Sequence, residues 1–368
     1  MKIILFANTD WYLYNYRLPL ARTLQAAGHE VLLASPDGPY AERLEEVGLR
    51  WVPVRLSRRG ANPLAEIATI LRLKKLYARE KPGLVHHFTI KPVLWGSIAA
   101  RLAGVKKVVN AITGLGYVFT TRNVFTLVAR PLVKVLLSFC LRGSRVIFQN
   151  QRDMDFFLRE RLVQPAQAAL IRGSGVDTEK FKPVPQPGGT PVVVLPARML
   201  WDKGVGEFVE AAAILRESGL KARFALVGQP DEGNPSSIPV QQIEAWGQEG
   251  LVEHWGWRED MAAVYQQASL VCLPSYGEGL AKSLIEAAAC GRALVASDIP
   301  GCRDVVENSV NGLLVPPRDA QALAGALRTL LFDRGKLMSM GLASRDIAVR
   351  NFAVEQVNEA TIRAYNMG

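Results

Sequence analysis

Runs of consecutive apolar residues alternate along this chain with longer stretches in which apolar positions return every three or four residues. Lys2-Ile-Ile-Leu-Phe-Ala7 reads as a buried strand, Arg17 to Ala27 as an amphipathic helix, and Gly28-His-Glu-Val-Leu-Leu-Ala-Ser35 as a turn into a second strand. Further strand and helix pairs follow through Val85, Val108 and Val146. The rhythm stops at Phe181-Lys-Pro-Val-Pro-Gln-Pro-Gly-Gly-Thr-Pro191, where four prolines and two glycines exclude regular structure. It restarts at Val192-Val-Val-Leu195 and runs through Phe224-Ala-Leu-Val-Gly228, Leu270-Val-Cys-Leu273 and Ala293-Leu-Val-Ala296 before ending in helices. Such alternation predicts an α/β protein of two Rossmann-like domains, with parallel sheets facing a central cleft. The expected boundaries are 1–180 for the first domain, 181–191 for a linker, 192–345 for the second domain, and 346–368 for a C-terminal helix packing back on the first. In sheets of this kind ligands bind beyond the carboxyl ends of the strands, so each loop following a strand is a candidate site.

At 368 residues the chain exceeds the size at which single cores stop growing, which agrees with two domains. No run approaches the roughly 18 uninterrupted apolar residues of a membrane span. The N-terminus has too short an apolar core for a signal peptide, so a cytoplasmic location is expected. Cys140, Cys272, Cys290 and Cys302 are widely spaced and form no Cys-x-x-Cys pair, the pattern of reduced thiols rather than of a disulfide framework or metal site.

The charge is regional. Residues 51–150 carry 17 Lys and Arg against 2 Asp and Glu, whereas the whole chain is only +10, so the remainder is net acidic. Arg122, Thr126, Arg130, Lys134, Ser138 and Arg142 recur every fourth position among apolar residues, a narrow basic stripe on a very apolar helix that Pro131 would kink or interrupt. Arg55, Arg58, Arg59, Arg72, Lys74, Lys75, Arg79 and Lys81 form a second basic cluster. Both suit an anionic membrane surface; a buried domain helix with one wet edge is the alternative for the stripe. Aromatic residues are not interleaved with the basic clusters as stacking platforms would be, which argues against a nucleic-acid partner.

Candidate chemistry concentrates in the second half. Glu278-Gly-Leu-Ala-Lys-Ser-Leu-Ile-Glu286 sets two carboxylates with seven residues between them after the buried strand expected at 268–275 and across the start of a helix expected at 283–290. If most of the interval were helical the two Glu would lie on the order of 12 Å apart, a span that one ligand with hydroxyl groups at both ends can bridge. A nucleotide sugar is such a ligand. Its ribose would meet Glu286, its sugar ring Glu278, and its diphosphate the N–H groups of Gly279, Leu280 and Ala281, with Lys282 at the helix start. Upstream, Arg198 and Lys203 lie between a strand and a helix, where they could neutralise a diphosphate or simply pair with Asp202 or Glu207. The Gly228 strand end, and Trp257 or Arg258 after Val252-Glu-His-Trp-Gly256, could border an aromatic base; a packed tryptophan and a satisfied core His254 are the plainer alternative. The turns at Asp298–Asp304 and Asn311–Pro316 are expected to be structural.

Taken together, Gly28-His-Glu-Val31, the Arg198 and Lys203-Gly pair, Gly228, Glu278-x7-Glu286 and Asn311-Gly-Leu-Leu-Val315 resemble the retaining glycosyltransferases of family 4, which have the GT-B fold, over essentially the whole chain. More narrowly, His86-His-Phe-Thr-Ile-Lys-Pro92 and Asn110-Ala-Ile-Thr-Gly-Leu-Gly-Tyr117 look like the bacterial branch that builds capsule, O-antigen and glycan precursors on undecaprenyl diphosphate, including α-1,3-N-acetylgalactosaminyltransferases acting on lipid-linked bacillosamine. The resemblance implies that Arg198 and Lys203 hold the donor diphosphate, Glu286 the ribose and Glu278 the transferred sugar. It places His86 at a strand end near the reacting carbon, with His87 an alternative. It assigns the acceptor to His87, Thr89, Lys91, Thr113, Gly114, Gly116 and Tyr117. Relatives often carry proline where this chain has Ala281, leaving an extra N–H here.

By the same resemblance the substrates are a UDP-sugar, the sugar an N-acetylhexosamine such as GalNAc or GlcNAc, and an undecaprenyl-diphosphate-linked saccharide. The expected enzyme is peripheral to the inner leaflet and uses same-face substitution with no covalent glycosyl-enzyme. No metal or other cofactor is expected. Asp153-Met-Asp155 has the spacing of a metal-carrying triplet but opens a helix, where acidic residues commonly cap. A GT-B epimerase lacks the combination of Arg198, Lys203 and Glu278-x7-Glu286, and a phosphorylase needs a pyridoxal-binding lysine context that is not found. The rival from another class is a nucleic-acid- or polyanion-binding protein using the basic half.

Overall fold

Short runs of β-branched and aliphatic residues such as Val192–Pro196, Leu270–Leu273 and Ala293–Ser297 form central strands buried on both faces, helices whose apolar residues recur at helical spacing cover them, and edge strands such as Arg50–Pro53 and Glu253–Gly256 are only partly buried. The computed structural model describes residues 1–56, 62–114 and 124–366; for residues 124–129 and 366 it describes the backbone alone. Two units result, one of Met1–Gly175 with Val354–Gly368 and one of Val176–Ala353.

In the first unit, β1 (Lys2–Phe6), β2 (Glu30–Ser35), β3 (Arg50–Pro53), β4 (Leu84–Phe88), β5 (Lys107–Ile112), β6 (Arg145–Phe148) and β7 (Ala168–Leu170) form a parallel sheet in the order β3-β2-β1-β4-β5-β6-β7. Helices Pro63–Glu80 and Val124–Leu141 both pack on helix Ile90–Leu102. Helix Val354–Asn366 joins the opposite core, where Val357, Ala364 and Tyr365 meet Ile3, Leu5 and Phe88. Pro131 does not end the helix that contains it, although it must remove one backbone hydrogen bond. Among the described residues no helix is long and apolar enough to cross a membrane.

In the second unit, β8 (Val192–Pro196), β9 (Arg223–Val227), β10 (Glu253–Gly256), β11 (Leu270–Leu273), β12 (Ala293–Ser297) and β13 (Gly312–Val315) are parallel in the order β10-β9-β8-β11-β12-β13. The proline-rich stretch begins inside this unit. Phe181 is buried in its core, Arg345 Nη1 donates to the carbonyls of Thr178 and Phe181, and Arg292 Nη2 donates to that of Val184. The boundaries at 175/176 and 353/354 therefore differ from those expected at 181–191 and 346. Val176 N–H bonds the Phe352 carbonyl, tying the end of helix Arg334–Phe352 to the start of the unit.

All four cysteines are unpaired and buried. Asp153 sits in the first turn of helix Gln151–Arg159 but is not its cap: Asn150 accepts from Asp153 N–H and donates back to the Asp153 carboxylate.

Candidate active site

The strand order of the second unit reverses between β8 and β11, so the loops leaving those two strands flank a topological switch point. They are locked together. Gly204 has φ +73°, and a Cβ there would come 2.1 Å from the Pro274 carbonyl oxygen, so only glycine allows the approach. Tyr276 N–H bonds the Asp202 carbonyl at 2.9 Å, and Lys203 Nζ reaches Glu278 Oε1 at 2.6 Å. Both of these side chains are largely buried. The surface pairings envisaged with Asp202 or Glu207 are not the ones formed, because Lys203 turns to Glu278 and Arg198 Nη1 to Asp231. Glu207 instead accepts from the Tyr276 hydroxyl at 2.6 Å.

The helix after Glu278 spans Lys282–Ala289, so the interval between the two glutamates is half loop. The extra N–H at Ala281 is not open to a ligand; it donates to the Gly301 carbonyl at 3.3 Å. The Leu284 N–H bonds the Ala281 carbonyl at 3.0 Å, and the positive end of the helix dipole lies between the two carboxylates. Glu286 accepts from the Tyr265 hydroxyl at 3.1 Å and lies 3.8 Å from Lys282 Nζ. Burial raises its carboxyl above the usual range, with Lys282 and the Tyr265 hydroxyl working in the opposite direction.

Gly228 closes β9 at φ +143°, where a Cβ would strike the Ala197 carbonyl oxygen at 1.9 Å, and its own carbonyl faces His254 Nε2 at 2.9 Å. His254 is thus bonded through one ring nitrogen but exposed, not the core residue expected. Trp257 is half exposed rather than packed, and with Trp255, Arg258, Asp260 and Val264 it borders a cavity of about 650 Å³. Val264 and Tyr265 are neighbours on helix Met261–Gln267, so that helix presents one side chain to the cavity and the next to Glu286.

In the first unit the two histidines sit two and one residues before Phe88, the last residue of β4. Both lie within β4, 1% and 0% exposed, on opposite faces. His86 Nδ1 meets the Tyr365 hydroxyl at 2.7 Å, and its Nε2 has no partner among the described residues. His87 is fully bonded in the core, to Asn110 Oδ1 at 2.8 Å and the Tyr77 hydroxyl at 3.1 Å. Burial pushes His86 well down and His87 down to about 4, so both rings are neutral. Thr89 follows β4 at φ +72°, a strained value for a β-branched residue, with its hydroxyl buried and without a partner among the described residues. Lys91 pairs with Glu66 at 2.6 Å. Thr113 and Gly114 leave the same end of the adjacent β5, while Gly116 and Tyr117 lie outside the described residues, as do Arg58, Arg59 and Arg122. Among the described residues no three His, Cys, Asp or Glu side chains gather as a metal site.

Several residues that shape the site escaped the sequence reading. Gly301, in a turn expected to be structural, backs the motif: a Cβ there would lie 2.4 Å from the Glu278 carbonyl oxygen. Tyr265, Tyr276 and Asp231 each hold one of the charged side chains or their neighbours, and none carries a spacing signal of its own.

Residues 2–150 match the family described as glycosyl transferase 4-like, and residues 190–333 the family described as glycosyl transferases group 1. The N,N'-diacetylbacillosaminyl-diphospho-undecaprenol α-1,3-N-acetylgalactosaminyltransferase of Campylobacter jejuni is 28% identical over 350 residues, which cover 90% of each chain. The UDP-Gal:α-D-GlcNAc-diphosphoundecaprenol α-1,3-galactosyltransferase of Escherichia coli is 28% identical over 317 residues, covering 82% of this chain and 80% of the relative. Among solved structures, Anabaena HepE in complex with UDP matches over all of both chains with a TM-score of 0.80 at 20% identity. With both halves matched and relatives aligned along nearly the full length, the chain belongs to the family 4 glycosyltransferases and has the GT-B fold.

Proposed function

We propose that this glycosyltransferase moves a sugar, an N-acetylhexosamine such as GalNAc or GlcNAc, from a UDP-sugar to a saccharide carried on undecaprenyl diphosphate, with retention and without a divalent metal. The observation that carries the donor half is the contact of Lys203 with Glu278 at the switch point, with Glu286 beyond the start of the next helix. Arg198, Lys203 and the helix N-terminus receive the diphosphate, Glu278 accepts from hydroxyls of the transferred sugar, and Glu286 from those of the ribose. The bond from C1 to the diphosphate oxygen breaks while the acceptor oxygen bonds C1 on the same face. The acceptor's proton passes to the departing phosphate. Charge grows on the leaving diphosphate, and fixed cations already aimed there lower the barrier.

The names of the Campylobacter and Escherichia relatives, both of which specify diphospho-undecaprenol acceptors, support the acceptor class. So does the surface of the first unit. Leu132, Val135 and Phe139 are exposed along helix Val124–Leu141, and Leu64, Ile67 and Leu71 along helix Pro63–Glu80, each one helical stripe. Both helices flank helix Ile90–Leu102 in the strongly basic region. Apolar stripes among cations fit the inner leaflet of an anionic bilayer.

The test is transfer from a panel of nucleotide sugars to a synthetic undecaprenyl-diphosphate-linked saccharide in chelator, with the product anomer read by NMR. An α-product formed from an α-linked UDP donor supports the reading. An inverted product, or activity that returns only with magnesium, contradicts it.

A further inference from the structure

The loop between Gly228 and helix Val240–Gln248 is built more firmly than a surface connection requires. Asp231 N–H bonds the Ser237 hydroxyl at 3.1 Å, Asn234 Nδ2 donates to Asp231 Oδ2 at 3.1 Å, and Ser236 N–H returns to Asn234 Oδ1 at 3.0 Å. This knot is stitched to the loop that carries Arg198 and Lys203. Met199 N–H bonds the Gln229 carbonyl, Trp201 N–H the Ser236 carbonyl and Ile238 N–H the Met199 carbonyl, while the Ser236 hydroxyl donates to Asp202 Oδ1 at 2.6 Å. The carboxylate so fixed accepts from Arg198 Nη1, and it is 24% exposed against 58% for the arginine.

An arginine that exposed would ordinarily sample many rotamers, and a diphosphate binding it would have to order it first. Asp231 removes that step. It takes a hydrogen bond from one end of the guanidinium fork, and the fork's other donors remain to meet phosphate oxygens. We propose that Asp231, anchored by Asn234 and Ser237, is a positioning residue that presets Arg198 for the diphosphate of the donor. The inference rests on the donor-site reading above. The opposite role is a carboxylate that competes with the diphosphate for Arg198, and the two roles predict opposite signs.

The experiment is calorimetric titration of the full chain with UDP, and with uridine by competition, in the parent, Asp231→Asn, Asp231→Ala, Arg198→Ala and the Asp231→Ala/Arg198→Ala double variant. Asp231→Ala should weaken UDP about five- to ten-fold and leave uridine unchanged, and Asp231→Asn, which keeps an acceptor oxygen in place, should recover most of the loss. In the double variant UDP should bind no more weakly than in Arg198→Ala alone, because a residue acting through another has nothing to act through once that partner is gone. Additive losses, an equal loss for uridine, or tighter UDP binding in Asp231→Ala each overturn the proposal while leaving the donor site intact. An Arg198→Ala protein that binds UDP like its parent overturns the assignment of Arg198 to the donor site and this proposal with it.

Discussion

Lys203 Nζ and Glu278 Oε1 lie 2.6 Å apart although their loops are 75 residues apart in sequence. The contact joins the strand that leads into the cation loop to the strand that leads into the glutamate motif, across the point where the sheet reverses its order. Each side chain is the other's counterion until a donor arrives, and removing either leaves a largely buried charge alone. Glu278→Ala and Lys203→Ala are each expected to lower turnover by ~10²-fold or more with the fold retained by circular dichroism. Near-parental rates in both would remove the pair from the chemistry.

Tyr265 offers a pH test. Its hydroxyl lowers a carboxyl that burial raises, so Tyr265→Phe moves the Glu286 titration to still higher pH. Ribose hydroxyls need the ionised form as acceptor, and donor affinity is lost as pH falls through that titration. The acid limb of kcat/KM for the donor should therefore shift upward in Tyr265→Phe, with little change on the alkaline side. An unshifted limb would mean that Glu286 does not control donor binding.

Gly301 and Gly325 form a matched pair. A Cβ at Gly301 would meet the Glu278 carbonyl oxygen at 2.4 Å, whereas at Gly325, inside helix Ala320–Phe332, it would meet nothing within 4 Å. Gly301→Ala is expected to displace the motif and reduce kcat/KM about ten-fold or more. Gly325→Ala should instead add about 0.5–1 kcal/mol of stability in urea titration and leave kcat/KM alone. Equal behaviour of the two variants would show that the backing of Glu278 is unimportant.

The bilayer reading is best tested on the apolar stripe rather than on the basic one, because Lys134 is already engaged with Glu160 at 2.6 Å. Leu132→Glu with Val135→Glu places two charges on an exposed face without opening a cavity. Flotation with phosphatidylglycerol vesicles at fixed salt should fall several-fold, with the urea midpoint unchanged. Undiminished flotation would take this helix off the membrane.

Much of the fold was legible because strands of a parallel sheet, covered on both faces, appear as unbroken apolar runs such as Val192–Leu195 and Leu270–Leu273. Lys203 and Glu278 could be picked out because charged residues just beyond such strands stand against an apolar background. What joins them could not: the Lys203–Glu278, Asp231–Arg198 and Tyr265–Glu286 contacts all connect segments whose separation leaves no period to read. The same limit applies to His86-His87. A pair of histidines in a strand must point to opposite faces, but the partners that bury them, Tyr365 on one side and Asn110 with Tyr77 on the other, come from other elements at separations that follow no period. Ala281 shows how a residue-level inference stops short, since its N–H exists as expected and is taken by a carbonyl twenty positions downstream.

The whole account depends on a nucleoside diphosphate settling between Lys203, Arg198 and the glutamate-flanked helix. Isothermal titration of UDP into the parent and into Lys203→Ala and Glu286→Ala is the most direct measurement. Saturable one-to-one uptake by the parent, weakened at least about ten-fold in each variant, is the predicted result. No heat of binding in the parent, or equal affinity in all three proteins, would contradict it.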